Sequence, residues 1–219
     1  MQLLKNSFKL FSLLFLIRSS SIMRAEITSI IFDIGGVLLE GNAHSLIDQL
    51  ALSKDEKKQL LDFIKSEGWR LWDAGKITQD ELIALGDNRP ALKVLISLFL
   101  SPQRAFIGET REVVNKLKDR GYKLYVLSNF SHESYETFIL GRAEFFNLFD
   151  GIVCSSKLGK IKPDKEIFLE LFGRFKIEPA DALFIDDSLE NIEAGQKLGL
   201  KGLHYLPGTL KEKLAEHAI

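Results

Sequence analysis

Ile27-Thr28-Ser29-Ile30-Ile31-Phe32-Asp33-Ile34-Gly35-Gly36-Val37-Leu38 decides how this chain folds. Its apolar, β-branched start reads as a strand buried in a sheet. An aspartate follows directly, and two glycines let the backbone turn sharply away. Moving outward, Lys123-Leu124-Tyr125-Val126-Leu127, Gly151-Ile152-Val153, Ala182-Leu183-Phe184-Ile185 and Gly202-Leu203-His204-Tyr205-Leu206 are short runs of the same kind. Helix patterns over 109–120, 133–140, 165–175 and 189–198 alternate with them and supply crossovers. Strands alternating with helices predict an α/β fold, a parallel, doubly wound, Rossmann-like sheet with helices on both faces. Such sheets place their sites at the carboxyl ends of the strands.

The stretch between Phe32 and Lys123 is too long for one crossover, and its early part reads as helix throughout. It is expected to be an inserted helical module, 41–105, set into a core domain of 23–40 and 106–219. Ser53-Lys54-Asp55-Glu56 and Thr78-Gln79-Asp80-Glu81 both fit a capping box, in which a hydroxyl takes an orphan amide and a Glu three residues on reaches back. Asn88-Arg89-Pro90 and Ser101-Pro102 mark turns or helix ends. The charge run at 54–58 reads as a solvated helix face. Trp69 and Trp72 read as the module's core, with a pocket-facing role as the alternative.

The composition allows a sizeable core and narrows the function. Of 219 residues, 46% are hydrophobic and 27% charged, which suits one packed domain with a modest insertion. Lys+Arg 29 against Asp+Glu 30 leaves a net charge of −1, so no cationic excess exists to neutralise a nucleic-acid backbone, and no nucleic-acid partner is expected. A single cysteine, Cys154, excludes an internal disulfide framework and any cysteine-built zinc site. In residues 1–22, Lys5 and Lys9 precede the apolar run Leu10 to Ile17, which resembles a secretory signal. No small-x-small cleavage site follows, and the run falls well short of the roughly 20 apolar residues that span a bilayer. Since Met23 stands just before the first strand, residues 1–22 are read as a leader or an over-extended start. The expected location is cytoplasmic, with export through this segment as the alternative and no integral membrane span.

Four places deliver polar residues of the types a phosphate-handling site needs. Asp33 follows the first strand, and Ser128-Asn129, a hydroxyl and an amide able to hydrogen-bond an anion, follow the second. Lys162-Pro163-Asp164 carries a lysine that can neutralise a phosphoryl oxygen, in a chain fixed by the proline. Phe184-Ile185-Asp186-Asp187-Ser188 sets two adjacent carboxylates straight after a strand. Adjacent carboxylates repel, so an oxygen-liganded cation such as Mg²⁺ is their natural complement. Taken singly, each of the four also reads as a helix cap or a turn.

In order, the four make the pattern of the haloacid dehalogenase-like (HAD) superfamily, most of whose members are phosphatases, and the chain from about 27 to 206 resembles a member. The family's helical cap sits between its first and second motifs, where 41–105 lies here, and Trp72-Asp73-Ala74-Gly75-Lys76-Ile77-Thr78 resembles a stretch seen in such caps. Within the superfamily the chain looks most like the branch of glucose-1-phosphate phosphatases and the amino-terminal domain of soluble epoxide hydrolase. The resemblance implies Asp33 as a nucleophile that takes the phosphoryl group, with water hydrolysing the aspartyl phosphate. It implies Ser128 and Lys162 on the transferring oxygens and Asn129 orienting the substrate. Mg²⁺ would be held by Asp33, the backbone carbonyl of Gly35 and Asp187, with Asp186 acting through water. Asn191, one helical turn beyond Asp187, would support the site.

One position departs from the family. Its phosphatases usually carry a second aspartate two residues after the nucleophile, whose carbonyl binds Mg²⁺ and whose side chain is the general acid and base. Gly35 keeps only the carbonyl. Losing a positioned acid-base group typically costs about 10²–10⁴ in rate. The resemblance therefore implies a Mg²⁺-dependent hydrolase of small phosphorylated metabolites, slow unless water or another residue such as His132 substitutes. His132 otherwise reads as a solvent-facing loop residue, and His44, His204 and His217 as structural or surface positions. Two alternatives stand beside this reading. A metal-independent 2-haloacid dehalogenase-like hydrolase also lacks the second aspartate, but the Asp186-Asp187 pair speaks against it. Gly35 keeps open a degenerate member that binds a phosphorylated ligand or a partner.

Overall fold

The structure, a computed structural model, describes residues 26–219. The leader expected at 1–22 lies outside the described residues. Strands β1 (Ser29–Phe32), β2 (Lys123–Ser128), β3 (Gly151–Cys154), β4 (Ala182–Asp186) and β5 (Lys201–His204) pair in parallel in the order β3-β2-β1-β4-β5. This is the expected doubly wound sheet, with the first strand in the middle. The fifth strand ends at His204 rather than Leu206, because its partner β4 ends at Asp186, the residue opposite His204.

Five helices follow β1 within the expected insertion: α1 (Ala43–Gln49), α2 (Lys54–Phe63), α3 (Glu67–Asp73), α4 (Gln79–Leu85) and α5 (Pro90–Phe99). Both expected capping boxes are formed, Ser53 with Glu56 and Thr78 with Glu81, and Asn42 with Ser45 makes a third. The five helices share a buried cluster of their own that includes Ile47, Trp69, Trp72, Leu95 and Phe99.

After the insertion come α6 (Gly108–Asp119), α7 (His132–Ser134), α8 (Ala143–Phe146), α9 (Lys165–Phe175), α10 (Leu189–Lys197) and α11 (Leu210–Glu216). The helix expected over 133–140 is instead one turn of α7 running into a wider π-helical turn, Tyr135–Leu140. Nothing in its side-chain periodicity signals the widening.

Side chains alternate across the strands, as a period of two requires. Ile30, Phe32, Leu124, Val126, Leu183 and Ile185 face α6, α8 and α11, while Ile31, Tyr125, Leu127 and Phe184 face α9 and α10. Each large apolar side chain so buried contributes about 1.5–3 kcal/mol, which makes the central strands a stiff platform for whatever their ends carry. The lone Cys154 is buried at the end of β3, and burial pushes its thiol up to about 12. A thiol so placed is inert. Among the described residues, no helix is long and apolar enough to cross a membrane.

Candidate active site

Register assembles the site. Phe32 lies level with Val126 on β2 and with Ile185 on β4. Asp33, Ser128 and the pair Asp186-Asp187 therefore emerge together at one end of the sheet, and the Asp33 amide still donates to the Ile185 carbonyl at 2.9 Å. Because the connections from β1 and β4 lead to opposite halves of the sheet, this end is a topological switch point. Lys162 enters from the loop after β3. Its backbone amide donates to Asn129 Oδ1 at 2.8 Å, and Asn129 Nδ2 donates to its carbonyl at 3.0 Å. Asn129, expected to orient substrate, has both ends of its amide engaged by the Lys162 backbone and lines the space beside it.

The ammonium of Lys162 lies 2.8 Å from Asp33 Oδ1 and 2.6 Å from Asp186 Oδ2, in a side chain only 1% exposed. Burial works against this charge, but Asp186 and Asp33 outweigh it and raise the lysine above its ordinary range. Asp186 is otherwise saturated: its Oδ1 accepts from the Ser188 amide at 2.8 Å, and Asn191 Nδ2 lies 3.1 and 3.2 Å from its two oxygens. Asp187 faces the other way. Its Oδ2 accepts from Asn42 Nδ2 at 2.5 Å, and its backbone carbonyl lies 3.0 Å from His204 Nε2. Burial, then the nearby charge of Asp33, push the Asp187 carboxyl up to about 7.

Asp33, Asp186 and Asp187 each offer an oxygen within 4.8 Å of the others. One ammonium against three carboxylates leaves this buried end of the sheet short of positive charge. Asp33 Oδ1, despite the ion pair, is buried without a directed hydrogen bond. A set of hard carboxylate oxygens short of compensating positive charge fits a hard divalent cation.

Above the carboxylates, a recess of about 130 Å³ holds Asp33, Gly35 and Ser128 and adjoins a cleft of about 640 Å³. The insertion forms one wall, with Asn42, Ile64, Trp69, Arg70 and Asp73, and Asn129, Ile161 and Lys162 form the other. That wall is tied to the sheet domain. Trp72 Nε1 and the Gln79 amide both donate to Glu133, each at 3.2 Å, Ser155 Oγ donates to the Asp73 carbonyl at 2.5 Å, and Arg70 pairs with Asp164 at 3.1 Å. Arg104, 7% exposed, clamps both connections by donating to the carbonyls of Glu40, Gly41 and Phe99. Trp69 and Trp72 pack edge to face in the insertion's core, and Trp69 also lines the cleft, so both readings of that residue hold. His132 is exposed, abuts Gly75 and lines neither space.

The two turn glycines, alike in the sequence, differ in the structure. Gly36 has φ +76°, and a Cβ there would stand 2.3 Å from Asp187 Oδ2. Gly35 has nothing within 4 Å of such an atom. Gly36→Ala should lower stability by about 1–3 kcal/mol, the usual cost of forcing a side chain into that backbone region, whereas Gly35→Ala should change it little. Thermal unfolding of the two variants checks this, and equal effects would remove the distinction.

Residues 27–199 match the sequence profile of a hydrolase family described as haloacid dehalogenase-like hydrolase. The chain belongs to this family. A relative of this HAD-like hydrolase, the sesquiterpene phosphatase astK of Aspergillus oryzae, is 30% identical over 178 residues, covering 80% of this chain and 87% of the relative. Drimenol cyclase drtB of Aspergillus calidoustus is 25% identical over 184 residues, 81% of this chain, which spans only 34% of that longer protein. A HAD family enzyme from Bacteroides thetaiotaomicron, crystallised with magnesium and inorganic phosphate, superposes with a TM-score of 0.64 at 20% identity, over 86% of this chain and 98% of that one. At that identity the likeness is one of fold. Membership makes this HAD-like hydrolase an enzyme, and three acids in one cluster give it a place able to hold a metal ion.

Proposed function

We propose that the chain hydrolyses small phosphate monoesters with Mg²⁺, through an aspartyl phosphate at Asp33, and that 41–105 acts as a cap over the site. The observation that carries this reading is the buried Lys162 bridging Asp33 and Asp186 beside a third carboxylate, Asp187. Asp33, the carbonyl of Gly35 and Asp187 would hold the cation, while Asp186, its oxygens already taken, orients Lys162 and Asn191. When bound, Mg²⁺ neutralises charge on the transferring oxygens. The protein's part is positioning and charge stabilisation, on which phosphoryl transfer mainly depends. Asp33 attacks phosphorus, Ser128 and Lys162 bind the equatorial oxygens, and water then cleaves the acyl phosphate. The phosphatase name of the Aspergillus relative and the magnesium and phosphate held by the Bacteroides enzyme support the reading.

The test is hydrolysis of p-nitrophenyl phosphate, sugar phosphates, nucleotides, phosphorylated acids and a sesquiterpene phosphate, each with and without Mg²⁺. Turnover of at least one ester only with Mg²⁺ is expected. Phosphate binding without turnover would favour the degenerate reading, and metal-free release of halide from a 2-haloacid the dehalogenase. Asp187→Ala should raise the Mg²⁺ needed for half-maximal rate beyond the roughly 10–100-fold that losing a ligand's supporting partner costs. An unchanged requirement would move the ligand role to Asp186.

A further inference from the structure

An alkoxide leaves phosphorus poorly unless it is given a proton, so hydrolysis of ordinary esters needs a carboxyl or its equivalent in the cleft. Asp33, Asp186 and Asp187 are committed to the nucleophile, lysine and cation roles. The remaining titratable groups facing the cleft from the insertion and from α10 include His44, Lys65 and Glu190, all exposed to water. Asp73 differs from them. It ends α3 on the insertion's wall, is 8% exposed, and its Oδ1 is buried with no hydrogen-bond partner.

Buried carboxylate oxygens in a purely structural role are normally paired, and an unpaired one costs free energy. The backbone of Asp73 is nonetheless pinned in place. Ser155 Oγ donates to its carbonyl at 2.5 Å and accepts from the Phe130 amide at 2.9 Å, two residues beyond Ser128. The insertion's backbone at Asp73 is thus tied, through Ser155, to the loop that carries the phosphate-binding serine. Burial, reinforced by Asp33, holds it well above the usual carboxylate range, while Lys162, Arg70 and a hydrogen bond from Trp69 act the other way. That direction favours the protonated carboxyl.

We propose that Asp73 is the general acid and base of this enzyme, reaching the leaving-group oxygen from the insertion because position 35 offers no side chain. The inference rests on the phosphatase reading above. As the Asp33 oxygen bonds to phosphorus, the phosphorus–ester oxygen bond breaks, its electron pair stays on that oxygen, and the oxygen takes the Asp73 proton. In the second step the Asp73 carboxylate takes a proton from water, whose oxygen bonds to phosphorus. The bond from phosphorus to Asp33 then breaks, restoring both carboxyl groups.

The test compares Asp73→Asn with wild type in Mg²⁺ on glycerol phosphate, a poor leaving group, and p-nitrophenyl phosphate, a good one. Turnover of glycerol phosphate should fall about 10²–10⁴-fold with KM little changed. The p-nitrophenyl ester should give a first-turnover burst, followed by accumulation of phosphoryl-enzyme detectable by mass after acid quench. Adding Gly35→Asp to Asp73→Asn should recover glycerol phosphate turnover. Should the asparagine variant not fold, Asp73→Ser carries the same expectations. Wild-type turnover of glycerol phosphate by a folded variant, or an equal loss on both esters with no burst, would overturn Asp73 alone. A wild type inactive on both esters and on every other ester of the panel above would overturn the phosphatase reading and this inference with it.

Discussion

Asp33→Asn should cost on the order of 10⁶ in turnover, the size of effect that losing the nucleophile has in covalent catalysis. An amide has no lone pair able to form an acyl phosphate, yet it fills nearly the same space. The variant should fold, since Lys162 keeps its contact with Asp186 and one of three mutually repelling carboxylates is gone. Stability without added metal should therefore be no lower than that of wild type. Two measurements separate chemistry from folding: acid-quenched wild type should carry a phosphoryl group during turnover and the variant none, while thermal unfolding shows both intact. A folded Asp33→Asn protein that hydrolyses the same ester at the wild-type rate would remove the covalent mechanism.

Much of this site could be read from the chain because each motif is local to a strand end. Once Phe32, Val126 and Ile185 are level, the positions of Asp33, Ser128 and Asp186 follow from a residue rise shared by neighbouring strands. Asn191 follows in the same way, because one helical turn after Asp187 returns it to the strand end, where it meets both oxygens of Asp186. What the chain conceals is long-range closure. Asn42 looks like an ordinary helix cap, and it is one, but its amide nitrogen is also spent on Asp187, 145 residues away. Arg104 sits in a turn with no motif around it, and only the folded path brings both connections of the insertion within its reach. Glu133 and Ser155 are similarly silent until α3 and α4 dock on them. A glycine also carries no sign of its dihedral angle, so the contrast between Gly35 and Gly36 appears only in three dimensions.

The same distinction between local and assembled features makes Lys162 a vulnerable point in the protein. It is the sole cation bonded to Asp33 and Asp186 among the described residues, and it is buried with them. Lys162→Met keeps the length and apolar stem but strips the charge. Removing one partner of a buried ion pair leaves the other uncompensated, a cost of about 3–5 kcal/mol. Turnover should fall as well, by at least the roughly 10²–10³ lost with one preorganised electrostatic donor. Folding and chemistry can be told apart by a second substitution. Asp186→Asn added to Lys162→Met removes one of the stranded carboxylates, so the double variant should regain part of the lost stability, a coupling between contacting residues that a double-mutant cycle measures. The rate should not return, because no ammonium then faces the transferring oxygens. Urea unfolding and ester hydrolysis of the three variants and wild type provide the cycle. Additive stability effects would show that Lys162 and Asp186 are not energetically joined, and a recovered rate in the double variant would show that the lysine had served the fold alone.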